Sequence, residues 1–217
     1  MPGVSHTREE TEDPVKITVV GGSKGTGARL ASLAAAAGHE VTVLSRSGTA
    51  PAGVRALAGD AADPSVVSGA VADADAVVVT VGGAKGVRHQ RTAVTKAVIK
   101  AMQQAGVRRL VVQSSLGAGD SSSQLPGPLG LITRVALAKP LADHNEQEAA
   151  VRESGLDWTI LRPTGLTDKE PAGTWRSFEV GSDGKLGGSI PRGDLAACML
   201  QALTDDSTVG KALGVSS

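Results

Sequence analysis

The sequence predicts a doubly wound α/β fold, a parallel sheet with helices on both faces, and three observations predict it. Six short β-branched runs alternate with Ala-rich segments of helical character. The runs are apolar almost throughout, as strands are when crossover helices cover both of their faces. A glycine-rich turn, Gly21 to Gly27, joins the first run to the first helix. With 217 residues, 41% of them hydrophobic, the chain suits one such domain of Rossmann type.

The elements follow in order. Met1 to Asp13 mixes Pro, Gly, His, Thr and Glu without apolar periodicity, so residues 1–14 are expected to be a flexible tail and residues 15–217 the folded domain. Strands are expected at Val15–Val20, Glu40–Leu44, Val54–Ala58, Ala76–Val81, Arg109–Gln113 and Trp158–Leu161. Helices fill the gaps: Gly25–Ala37 stops at Gly38, Pro64–Val71 opens on Asp63, and Arg88–Ala105 stops at Gly106. Leu116–Leu129, rich in Gly, Ser and Pro, is expected to be a long loop at the carboxyl edge of the sheet, the edge where such folds hold ligands. Leu141 to Glu148 reads as a polar helical stretch. Beyond Pro163 the chain turns Gly-rich and returns as a helix over Asp194–Leu203, with Leu195, Met199 and Leu203 on one face; this part is expected to form a small cap on the sheet.

Composition narrows the function. With 22 Lys+Arg against 22 Asp+Glu the chain has no long-range field to hold a polyanion, which argues against nucleic acid or an anionic membrane as main partner. The longest apolar stretch, Leu30 to Ala37, falls well short of the roughly 20 residues of a spanning helix. Cys198, the single cysteine, cannot form an internal disulfide, and the first residues lack the apolar core of a secretory leader, so a cytoplasmic location is expected. No His/Cys/Asp cluster has metal spacing, and no Gly-x-Ser-x-Gly elbow follows a strand. The chain has no Tyr, so a phenolic proton donor is excluded.

The turn Gly21-Gly22-Ser23-Lys24-Gly25-Thr26-Gly27 has the strand and helix flanks of a phosphate loop. Gly21 permits the tight turn, Gly25 lets the backbone approach a diphosphate, and Gly27 lets the helix sit close on the sheet, while the helix start supplies N–H donors. The second strand then ends in Ser45-Arg46, where sites that prefer NAD usually carry an acid for the ribose hydroxyls. A guanidinium here and Lys24 in the loop suit a 2′-phosphate, which points to NADP(H). Asp60 can accept from the adenine amino group or can simply form a turn.

These residues resemble the short-chain dehydrogenase/reductase superfamily, and within it the atypical branch of NADPH-dependent flavin and biliverdin reductases and NmrA-like proteins. The resemblance runs from Val15 to Leu203. It is carried by Glu40-Val-Thr-Val-Leu-Ser-Arg46, Gly59-Asp60, Asp75-Ala-Val-Val-Val79 leading to Gly82, Gly106-Val-Arg-Arg-Leu-Val-Val-Gln-Ser-Ser115, Arg152-Glu-Ser-Gly-Leu-Asp-Trp-Thr-Ile-Leu-Arg-Pro163 and Asp194-Leu-Ala. It implies that Gly21 to Gly27 and Arg46 hold the phosphates, Asp60 and Ala61 the adenine, and Val81, Gly82 and Gly83 the middle of the cofactor. It places Ser114, Ser115 and Pro163 near the nicotinamide. The loop departs from the branch, spacing its glycines as GxxxGxG where GxxGxxG is usual. Orthodox members also use a Tyr-x-x-x-Lys pair; the matching positions here are Pro140 and His144, and a histidine at that place is similar to the flavin and biliverdin reductases.

The chemistry follows from what is missing. A flavin or an extended tetrapyrrole can take hydride and collect its proton from solvent, so the lack of Tyr disfavours simple ketone reduction more than it disfavours these acceptors. The expected function is an NADPH-dependent oxidoreductase acting on a flavin-like or other conjugated small molecule, a flavin or quinone among them. The alternative is an NmrA-like redox sensor that binds NADP(H) without turnover; an NAD-linked epimerase is disfavoured by the missing Tyr and by Arg46. Ser115 either orients the nicotinamide or substrate carbonyl or satisfies a strand end. His144, on its polar stretch, is expected to face solvent unless the family position makes it catalytic. Trp175 and Phe178 either contact a planar ligand or pack the cap, Trp158 is expected in the core, and Cys198 reads as a small buried apolar residue.

Overall fold

Strand β1 (Lys16–Val20) lies inside the sheet because its side chains serve both faces: Ile17 and Val19 enter one apolar layer and Val20 the other. The computed structural model describes residues 13–82, 89–124, 138–182 and 186–217. After β1 come α1 (Gly25–Ala36), β2 (Glu40–Ser45), β3 (Arg55–Ala58), α2 (Pro64–Val71), β4 (Ala76–Val79), α3 (Gln90–Ala105) and β5 (Arg109–Gln113). A short 3-10 helix (Gly119–Gln124) precedes α4 (Ala138–Arg152), β6 (Asp157–Pro163), β7 (Gly165–Thr167), β8 (Arg176–Glu179), β9 (Ser189–Pro191), α5 (Arg192–Thr204) and β10 (Lys211–Ser216).

The main sheet has the order β3-β2-β1-β4-β5-β6-β10-β8, parallel except for β8, which runs antiparallel to β10; β7 and β9 form a separate parallel pair. The strand order reverses between β1 and β4, and their carboxyl ends flank the switch point where open α/β sheets bind ligands. One layer packs Leu30, Ala31 and Ala34 of α1 and Leu195, Met199 and Leu203 of α5 on Ile17, Val43, Val111 and Leu161. The other packs Val67, Val98, Met102 and Val151, from α2, α3 and α4, on Val20, Val77, Val112 and Ile160. Each fully buried Val or Leu contributes about 1.5–3 kcal/mol, so these two layers hold the strand ends in place. Cys198 of α5 is buried in the first layer, and burial pushes its thiol up to about 12.

The doubly wound fold is as expected, with local differences. β4 stops at Val79, two residues early, although Thr80 N–H still donates to Val20 O at 2.9 Å. β3 is an exposed edge strand and not one covered on both faces. The third helix starts at Gln90, after His89 in the left-handed region (φ 55°); Arg88 lies outside the described residues. The Leu116–Leu129 segment contains the 3-10 helix, and its residues from 125 on lie outside the described part. Trp158 is half-buried beneath the Arg152 guanidinium, 5.2 Å from the ring centroid, so it borders the second layer from outside. Among the described residues no helix is long and apolar enough to cross a membrane.

Candidate functional site

The loop after β1 enters the switch point with Gly21 at φ +92°, its N–H donating to Leu44 O of β2 at 2.9 Å. A β-carbon on Gly21 would stand 3.0 Å from Val81 N, and one on Gly22 2.8 Å from Val43 Cγ2. One on Gly27 would overlap Thr80 Oγ1 and the Gly21 carbonyl, so Gly27 sets how closely α1 sits on the sheet. Gly25 differs. At φ +61° it is left-handed like Gly21, but a β-carbon there would meet only the Arg192 side chain, at 3.7–3.8 Å. Its face is therefore open, and the first N–H groups of α1, which lack intrahelical acceptors, fit a diphosphate. Ser23 is half-buried and Thr26 buried within this turn.

Lys24 and Arg46 are exposed, and neither has a partner among the described residues. Arg46 stands two residues beyond Leu44, the acceptor for Gly21, so both cations flank one loop. The turn that carries Arg46 is rich in hydroxyls: Ser45 Oγ donates to Thr49 O at 3.3 Å, and Ser47 Oγ and Thr49 Oγ1 lie 2.7 Å apart. Asp60 Oδ1 accepts from Ala62 N–H at 3.0 Å, so the turn-forming role applies to that oxygen; Ala61 is buried in the second layer. Val81 is half-buried against Gly21, Gly82 is exposed, and Gly83 lies outside the described residues.

At the ends of β5 and β6 the two adjacent serines diverge. The Ser114 hydroxyl is buried and donates to Glu148 Oε1 at 2.6 Å, whereas Ser115 is half-buried and its hydroxyl makes only a long 3.3 Å bond to the neighbouring Leu116 carbonyl. The Pro163 carbonyl accepts from Leu116 N–H at 2.9 Å, which ties the Ser115 segment to β6. Next to it, the buried Thr164 hydroxyl has no partner among the described residues.

His144 corrects its expectation. It is 8% exposed and not solvent-facing, because α4 turns Asp143, His144, Gln147 and Glu148 inward. Its Nδ1 lies 3.3 Å from Gln147 Oε1 and 3.5 Å from Ser114 Oγ. Gln147 Nε2 donates to Thr95 and the Ser114 proton goes to Glu148, so both neighbours of Nδ1 accept and Nδ1 carries the hydrogen. Burial first, and then the Arg91 charge, push the imidazole down to about 4, outweighing the Gln147 bond and the Asp143 and Glu148 carboxylates. His144 is thus neutral at pH 7 and offers no imidazolium proton.

A stability prediction follows. The folded value of about 4 lies below the ordinary 6.5, so the unfolded chain takes up this proton first as pH falls. Stability is complete above pH 6.5 and declines toward pH 4, by on the order of 3 kcal/mol at most. Urea unfolding of the parent and His144→Gln between pH 7 and 4.5 checks this: the variant should lose less stability across that range.

The buried ion pair beneath the site was not visible in the sequence. Arg162 is fully buried and forks onto Glu148, Nε to Oε1 at 2.9 Å and Nη2 to Oε2 at 2.6 Å; its Nη1 lies 2.7 Å from Asp120 Oδ1. Gly119, at φ +57°, leaves room for the pair, because a β-carbon there would come within 2.7 Å of Glu148 Oε2. Asp143 caps α3 from α4, accepting from Arg91 N–H at 3.2 Å and Thr92 N–H at 3.0 Å. Burial works to raise the Asp143 pKa, but those bonds hold it below the usual carboxylate range. The available signal was the spacing of residues 143, 144, 147 and 148, which form one helical face.

On the cap side, Asp194 is buried and accepts from Ala172 N–H at 3.0 Å and Gly173 N–H at 2.9 Å, anchoring the segment after β7 to the first turn of α5. Trp175 packs against the first apolar layer, the packing alternative of the two, and Phe178 of β8 is half-buried.

A glycine loop opening onto a helix at the switch point of a doubly wound sheet defines a dinucleotide-binding protein. The chain belongs to the NAD(P)H-binding family, whose family model matches residues 21–206. Its fold is the Rossmann-like α/β fold that solved NAD(P)-binding oxidoreductases also adopt. ChuY, an anaerobilin reductase from Escherichia coli O157:H7, is 28% identical with a TM-score of 0.79, over 93% of this chain and 96% of that one. A short-chain dehydrogenase/reductase from Veillonella parvula, solved in complex with NADP, shares the fold at 19% identity and a TM-score of 0.80, over 94% of each chain. A UPF0659 protein of Schizosaccharomyces pombe is 36% identical over 108 residues, a match spanning 42% of this chain and 42% of that protein, less than half its length.

Proposed function

We propose that the protein is an NADPH-dependent reductase that passes hydride to a flavin-like or other conjugated small molecule. The observation that carries this reading is a phosphate loop flanked by two cations, Lys24 and Arg46, that have no partner among the described residues. When bound, the cofactor supplies the hydride. Gly21, Gly22, Ser23, Lys24, Gly25, Thr26 and Gly27 hold its diphosphate, Arg46 with the Ser47 hydroxyl its 2′-phosphate, and Asp60 and Ala61 its adenine. Val81, Gly82 and Gly83 line its middle, and Ser115 and Pro163 orient the nicotinamide end. Ser114 acts from behind, its hydroxyl committed to Glu148.

The acceptor class follows from proton supply. The chain has no Tyr and His144 is neutral, so the acceptor takes its proton from water, as a conjugated ring system can. The likeness to ChuY, an anaerobilin reductase, supports the same class. A cytoplasmic location suits this chemistry and a single buried thiol.

The test is NADPH oxidation measured against flavins, quinones, tetrapyrroles and simple carbonyls. Consumption is expected with the conjugated acceptors only. Arg46→Ala should weaken NADPH binding by about ten-fold, the worth of one charge-assisted contact, and leave NADH unchanged. Tight binding without consumption by any acceptor would move the protein to the sensor class, and equal loss for both dinucleotides would remove Arg46 from the 2′-phosphate.

A further inference from the structure

Arg192, the first residue of α5, reaches the phosphate loop from the far end of the chain. Its Nη1 pairs with Asp168 Oδ2 at 3.0 Å, and Asp168 Oδ1 accepts from Arg29 Nη2 at 3.2 Å. Arg29 in turn donates from Nη1 to the Gly25 carbonyl at 3.2 Å. Two guanidiniums therefore share one carboxylate beside Gly25, and the carboxylate is the exposed member, at 70% against 27% for the Arg192 side chain. The Nε and Nη2 groups of Arg192 make no bond to any described residue, and Nε is the atom that would stand 3.7 Å from a β-carbon on Gly25. Unspent donors thus border the one open face of the loop.

We propose that Arg192 is a recognition residue for the cofactor diphosphate, held beside Gly25 by Asp168, with which the diphosphate competes. This rests on the dinucleotide reading of the loop. The chemistry favours it: a diphosphate brings two negative charges where the protein supplies one exposed carboxylate to two guanidiniums, with Lys24 also unpaired among the described residues. A guanidinium forks onto phosphate oxygens with charge-assisted bonds, and Arg192 keeps two nitrogens for that purpose. The role is distinct from that of Arg46. The diphosphate is common to NADPH and NADH, so Arg192 strengthens both equally, whereas Arg46 separates them.

Calorimetry with NADPH and NADH tests it. Arg192→Ala should weaken both by a similar factor of about ten, and Asp168→Asn, which frees the guanidinium, should tighten both a few-fold. Arg192→Gln repeats the measurement with most of the side-chain stem retained, in case the alanine variant loses the packing of that stem and unfolds. Unchanged affinities in the folded Arg192 variants, a loss confined to NADPH, or weaker binding in Asp168→Asn would each overturn the proposal. A parent protein that binds neither dinucleotide would overturn the cofactor reading itself.

Discussion

Gly25→Ala is expected to fold and to lose dinucleotide binding by roughly a hundred-fold or more. Gly25 is left-handed, at φ +61°, so a side chain costs about 1–2 kcal/mol of backbone strain. In a chain of this size that lowers the melting temperature by only a few degrees. The β-carbon itself meets no backbone and only the flexible Arg192 side chain, so nothing in the sheet has to move. It occupies the open face over the first N–H groups of α1 instead. Displacing a diphosphate from two charge-assisted donors, at about 1.5–3 kcal/mol each, accounts for a hundred-fold loss or more. Gly27→Ala gives the contrast: its β-carbon overlaps Thr80 and the Gly21 carbonyl, so that variant should fail as a fold. Titration of NADPH fluorescence beside a thermal melt separates the two, and full affinity in Gly25→Ala would refute the diphosphate assignment.

A large but measurable loss of stability is expected at Arg162. Arg162→Met leaves Glu148 buried at 2% exposure without its counter-charge, which costs about 3–5 kcal/mol. Urea unfolding should show that loss, with a fall in melting temperature on the order of 10 °C. The double variant Arg162→Met with Glu148→Leu should recover much of it, because it leaves no buried charge unpaired, Asp120 being exposed. A single variant as stable as the parent would mean that the pair contributes nothing to the fold. The effect should reach the site as well, since the Ser114 hydroxyl hangs on Glu148 and Ser115 follows it in the chain.

The parallel sheet was legible because its strands are covered on both faces, so β-branched runs mark them without competition: Arg109–Gln113 is β5 residue for residue, and Glu40–Leu44 falls one residue short of β2. Strands β7, β8, β9 and β10 left no such mark. β7 and β9 have three residues each, β8 is an exposed Arg-Ser-Phe-Glu edge, and β10 carries Lys211 and Gly214, so none shows a continuous apolar run. Helix α4 was read only in part, as the polar stretch Leu141 to Glu148, for the opposite reason. Its inward face is polar, with Asp143, His144, Gln147 and Glu148 buried through ionic and hydrogen-bonded partners on other elements. Those partners, Thr92, Thr95 and Arg162, are distant in sequence, so apolar periodicity had no stripe to find. At the candidate site the glycine loop was readable because it is local. Arg192, Asp168 and Arg29 meet only after the chain has crossed the sheet, and no spacing rule connects them.

Cys198 gives the molecule a clock. It is the chain's single thiol, on the helix that packs against α1, and with its pKa near 12 almost none is thiolate at neutral pH. A thiol reagent can react only after the α1–α5 layer has parted, since the thiolate is the nucleophile and needs access. With one thiol there is one labelling process, and its rate reads the frequency of that opening with no reporter group added. A dinucleotide seated on the start of α1 binds the closed layer, so each ten-fold rise in its concentration above Kd should slow labelling about ten-fold. A buried, protonated thiol thereby becomes a gauge of how firmly the cofactor holds that layer shut.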